Sequence, residues 1–139
     1  MRNVDQVVGS HWADGWMMHG NGIVLENCKV YDVHGGGFSV GGNAGSRVDV
    51  INCDAYLCID SLSSSSPGND GTGFRNLENG SVYYRGCRAW LCGDQGFSAG
   101  IDSEVTREQY IDYANCWSFR NGLLEGGGTG FKMGWIKYT

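Results

Sequence analysis

The chain has 139 residues, enough for one core, and combines 24 glycines with a single proline, 18% charged residues and a formal net charge of −5. With no run of Lys or Arg, it lacks the cationic patch that phosphate backbones or anionic lipid require, so neither nucleic acid nor a membrane is an expected partner. No apolar stretch is long enough for a membrane span, the first residues lack the apolar core of a secretory signal, and the glycines have no collagen-like period.

A repeat runs through the chain, the mark of a stacked architecture. Four units align on cysteine: Ile23-Val24-Leu25-Glu26-Asn27-Cys28 with Val30 and Tyr31, closed by Gly37-Phe38; Val48-Asp49-Val50-Ile51-Asn52-Cys53 with Ala55 and Tyr56, closed by Gly73-Phe74; Val82-Tyr83-Tyr84-Arg85-Gly86-Cys87 with Ala89 and Trp90, closed by Gly96-Phe97; and Ile111-Asp112-Tyr113-Ala114-Asn115-Cys116 with Ser118 and Phe119, closed by Gly130-Phe131. Gly15-Trp16 closes an earlier coil whose cysteine segment is missing, so five coils are counted. Apolar residues alternate up to the Asn or Gly before each cysteine, where the inward parity changes, so a one-residue left-handed corner is expected there. Stacked asparagines at that corner are also expected to hydrogen-bond along the stack. The fold class that follows is all-β: a right-handed parallel β-helix of about five coils, three short strands per coil. It forms a single domain over residues 1–139 or a piece of a longer β-helix.

Successive Gly-aromatic pairs are 22, 36, 23 and 34 residues apart, so some coils carry insertions, which fall at 61–71, 100–108 and 123–128. Solenoid insertions tend to gather on a binding face. Cys28, Cys53, Cys87 and Cys116 share one column and Cys58 and Cys92 a second, positions suited to buried free thiols and not to disulfides or metal. The histidines, His11, His19 and His34, are expected in turns. The aromatic column after the cysteines is expected in the core, with Tyr83, Trp90 and Trp117 offering stacking surfaces only if they face outward.

No Gly-x-Ser-x-Gly elbow, phosphate-cradling loop or His-Glu-x-x-His helix occurs. The segments Cys87-Arg88-Ala89-Trp90-Leu91-Cys92-Gly93-Asp94-Gln95-Gly96-Phe97-Ser98 and Asn115-Cys116-Trp117-Ser118-Phe119-Arg120-Asn121-Gly122, with Gly128-Thr129-Gly130-Phe131-Lys132-Met133-Gly134, resemble the pectate lyases of polysaccharide lyase family nine. The resemblance extends over residues 21–134 and implies the same right-handed parallel β-helix. It further implies calcium held by aspartates near Asp-Gly-aromatic turns, and a lysine that removes the C5 proton of a uronate for β-elimination. Carried over position by position, Lys132 is the base, and the calcium positions are Thr72, Asp94, Gln95 and Ser98, with Asp70 near enough to join. Only Asp94 among the four matched positions keeps a carboxylate, so the calcium set is incomplete. Arg75, Ser98 and Arg120 are the expected contacts to an acidic sugar, and an extracellular or cell-surface location is implied.

Two functional expectations result. One is a carbohydrate-active β-helix that binds or cleaves acidic, uronate polysaccharide. The other is a non-catalytic module of a surface fibre, spike or self-stacking filament. The latter is suggested by apparent partial rungs at Asp5-Gln6-Val7-Val8 and at 135–139, which would pair in a longer β-helix or in end-to-end self-association.

Overall fold

A computed structural model describes residues 1–4, 13–63, 67–77, 79–99, 109–124 and 127–133. The expected partial rungs at 5–8 and 135–139, the insertion at 100–108 and His11 lie outside the described residues. Fourteen described strands form three parallel sheets. The first holds β2 (Trp16–His19), β5 (Phe38–Gly41), β8 (Phe74–Asn76), β11 (Phe97–Ser98) and β14 (Phe131–Lys132). The second holds β3 (Ile23–Glu26), β6 (Arg47–Ile51), β9 (Gly80–Arg85) and β12 (Gln109–Ala114). The third holds β1 (Arg2–Val4), β4 (Lys29–Val33), β7 (Asp54–Cys58), β10 (Arg88–Trp90) and β13 (Trp117–Phe119). Each coil visits the first, second and third sheet in turn, which is the expected β-helix with three strands per coil. His19 closes β2 instead of lying in a turn.

The corner before each cysteine is left-handed, as expected: φ is 56° at Asn27, 51° at Asn52, 65° at Gly86 and 55° at Asn115. Its asparagines serve the backbone alone. The amides of Asn27, Asn52 and Asn115 are exposed and find no hydrogen-bond partner among the described residues, so the expected bonding along the stack is not made. A second left-handed column, at Asp32, Leu57, Leu91 and Arg120 with φ of 56°, 52°, 54° and 53°, ends each strand of the third sheet. It returns the following Val33, Cys58 and Cys92 to the interior, where all three are buried.

Inside, the rings of Phe38, Phe74, Phe97 and Phe131 stack at 5.0, 4.7 and 4.8 Å, the spacing of neighbouring coils. Tyr84 meets Phe74 and Phe97 edge-on, and its buried hydroxyl is satisfied by donating to Asn76 Oδ1 at 2.8 Å. The glycines before Phe38, Phe74 and Phe97 are needed because the next coil's backbone and the third sheet approach closely. A Cβ on Gly37 would lie 2.5 Å from the Gly73 carbonyl oxygen and 2.9 Å from Cys58 Sγ. All six cysteines are free, and the Cys58 thiol is pushed well up in pKa by its hydrogen bond to Cys92 and by burial, so it is an inert core group.

The aromatic column after the cysteines departs from expectation. Because Cys28, Val30 and their counterparts point inward, Tyr31, Tyr56, Trp90 and Phe119 point outward and form an external ladder. The rings lie 4.9, 4.4 and 5.8 Å apart and nearly parallel. Strand parity overrides side-chain hydrophobicity here.

Candidate functional site

The outer face of the first sheet carries one column, Met17, Ser39, Arg75, Ser98 and Lys132, in unbroken register. The residue before each core glycine forms the adjoining column: Asp14, Gly36, Thr72, Gln95 and Thr129. The chain enters these columns from the third sheet, through the turns that hold the insertions at 61–71 and 123–128. Both insertions therefore reach the same edge. The first is organised by Asp60, whose buried carboxylate accepts from the backbone N–H of Ser63 at 3.2 Å and of Asp70 at 3.4 Å. The second brings the Gly127 N–H onto Asp94 Oδ1.

At the Lys132 end, Asp94 is 2% exposed. Burial raises its pKa above the ordinary 3.8, while the Gly127 N–H, the Lys132 ammonium and the Gln95 side chain pull against that rise. Thr72 Oγ1 donates to Gln95 Oε1 at 3.3 Å. Thr72 and Gln95 are thus joined, Gln95 and Lys132 both act on Asp94, and Ser98 lies in register with Lys132. Lys132 is exposed and stands beside the buried Ser98 in the neighbouring coil.

At the other end, the Arg75 guanidinium, 12% exposed, donates to both oxygens of Asp14 at 2.9 and 3.1 Å and to Asp70 Oδ1 at 3.3 Å. It also covers the Ser39 hydroxyl. The tie to Asp14 spans two coils and passes over Gly36, where a Cβ would sit 2.3 Å from Asp14 Oδ1. Arg75 and Asp70 are thereby matched to each other at the edge of the first sheet. Arg120 stands apart, in the left-handed bend column of the third sheet.

Asp14 and Gly127 are the members that sequence reasoning missed. Asp14 carried a signal, since it alone precedes a Gly-aromatic pair as an aspartate. Gly127 carried none, because its contribution is a backbone N–H.

The donors do not fit a calcium ion as arranged. Asp94 is engaged by Gly127 and Gln95, Gln95 by Thr72, and Asp70 by Arg75, and no group of three or more His, Cys, Asp or Glu side chains is disposed around one point among the described residues.

A right-handed parallel β-helix of three sheets, with a left-handed corner before each cysteine and a Gly-aromatic pair in each coil, has the fold of the pectate-lyase-like β-helices. More particularly, the chain belongs to the Pel9A-like right-handed β-helix family, whose model matches residues 2–138. It is 33% identical over 127 residues to a pectate lyase L of Dickeya chrysanthemi, a match that covers 86% of this chain and 28% of the relative. It is 37% identical over 99 residues to a pectate lyase L of Dickeya dadantii (strain 3937), covering 66% of this chain and 22% of the relative. The chain thus spans between a fifth and a third of the length of these curated relatives. No solved structure matches it significantly.

Proposed function

We propose that the groove of the first sheet takes an acidic, uronate-containing polysaccharide and that Lys132 is the base for its β-elimination. The observation that carries this reading is the exposed Lys132, in register with Ser98 and facing Asp94, at the position that matches the family's lysine. In the step, the free amine of Lys132 takes the proton from C5 of the uronate. The electron pair of that C–H bond forms the C4–C5 double bond, and the C4–O bond breaks, so the glycosidic oxygen leaves with the adjoining sugar and takes up a proton. Neither a nucleophile nor an activated water is required. The hydroxyl of Ser98 and the backbone of Gly127 border the place where the uronate lies, and Arg75 acts as a positioning residue that holds Asp70. An extracellular or cell-surface site of action belongs to the same proposal, since that is where such polymers occur.

The test is ultraviolet absorbance of the unsaturated product when the chain is incubated with polygalacturonate, with calcium and with chelator. Product that forms in chelator and vanishes with Lys132→Ala is the expected outcome. Absence of product from several uronate polymers, together with end-to-end oligomers in light scattering, would replace this reading with the structural-module one.

A further inference from the structure

A second polar groove lies on a different corner of the coil, where the second sheet turns into the third. It is an open channel of about 480 Å³ whose wall is the outward column Lys29, Asp54, Arg88 and Trp117, one residue per coil in register. Asn52 and Asn115 border it from the left-handed corner.

Asp54, its side chain 3% exposed, is held by Arg88 Nε at 2.6 Å and Nη2 at 2.9 Å, with Lys29 Nζ at 3.5 Å. Two cations therefore face one carboxylate, and the channel is locally positive on a chain whose formal charge is −5. Arg88 keeps Nη1 unengaged among the described residues, and both cationic side chains are more than half exposed. The corner asparagines present unpartnered amides, and Trp117 is 67% exposed beside them. Guanidinium, ammonium, amides and an indole form a set that recognises carboxylates, hydroxyls and the apolar face of a sugar ring. Successive coils repeat at about 4.8 Å, so a polymer lying along the axis meets a polar group at every rung.

We infer that this channel is a binding site for acidic polysaccharide, separate from the Lys132 groove and working by charge and amide contacts without chemistry. It shares no residue with the proposed lyase site, so either can fail without the other. Its role is to hold a uronate polymer against the second corner of the same coils.

Native gel electrophoresis of the chain through polygalacturonate, in chelator, tests this directly. Retardation is expected in polygalacturonate and not in neutral galactan, and it should weaken as salt is added. Lys29→Gln combined with Trp117→Ala should lower the apparent affinity roughly tenfold, and Lys29→Gln alone by a smaller factor. Both substitutions are at exposed side chains, and the single variant guards against a folding defect in the double one. All lanes use the Lys132→Ala background, which does not cleave the polymer, so that the change produced by Lys29→Gln and Trp117→Ala reports the channel alone. The inference is overturned if the Lys132→Ala chain is not retarded, if galactan retards it equally, or if adding Lys29→Gln and Trp117→Ala leaves its migration unchanged.

Discussion

Replacing Arg75 with methionine is expected to destabilise the fold far more than an exposed arginine would. Asp14 is 2% exposed in its side chain, and Arg75 is its only polar partner among the described residues. At the 2.9 Å separation and an effective dielectric of about 20, their attraction is about 6 kcal/mol before desolvation is counted. Removing one partner of such a pair leaves a buried charge alone, which typically costs about 3–5 kcal/mol. The weaker contact to Asp70, whose side chain is 18% exposed, adds less than about 1 kcal/mol. Methionine keeps much of the apolar stem, so cavity formation contributes little. The expected loss is about 3–4 kcal/mol, or roughly 10–15 °C in Tm for a domain of this size, measured by thermal and urea unfolding. Adding Asp14→Asn should recover most of it, since the orphaned charge is then gone. A loss below about 1 kcal/mol in Arg75→Met, or no recovery in the double variant, would refute the place given to Arg75 at the edge of the first sheet.

Two further variants probe the site and the corner. Asp94 has its pKa raised by burial, so its protonation favours the fold: that stabilisation is complete below 3.8 and is lost as pH rises through the raised value. Asp94→Asn, which keeps an oxygen for the Gly127 N–H, should therefore melt higher than wild type at neutral pH, with the difference shrinking toward zero in acid; a constant difference would contradict the burial account. Asn52→Ala should cost about 1 kcal/mol while Asn52→Gly stays within about 0.5 kcal/mol, although both delete the same amide. Equal losses in urea titrations of the two would mean that the amide, not the left-handed φ of 51°, is what the position needs.

The sequence revealed most of the architecture because the determinants are local. Gly37, Gly73 and Gly96 record a close approach of neighbouring backbone and third-sheet side chains, and each Asn or Gly before a cysteine records a left-handed corner. The outer aromatic ladder was misjudged because Tyr31, Tyr56 and Trp90 read as core residues by composition. Counting parity from the buried Val30, Ala55 and Ala89 places them outside. The second left-handed column was invisible, since leucine at 57 and 91 is no turn signal. At the site, Thr72, Asp94, Gln95, Ser98 and Lys132 were named by the family resemblance, position by position, and not by any pattern in the repeat itself. The Asp14–Arg75 pair was not, because it joins residues 61 positions apart across an intervening coil.

That pair also bears on how the stack comes apart. In a solenoid, each coil ordinarily interacts with its two neighbours alone, and coils can fray from an end one at a time. A guanidinium in the third coil that grips a carboxylate of the first, over the bare backbone of Gly36, adds a second-neighbour coupling. The first coil then cannot open without exposing the buried ends of that contact, and the three coils should exchange their amide hydrogens as one cooperative block, with graded protection beginning only beyond Arg75.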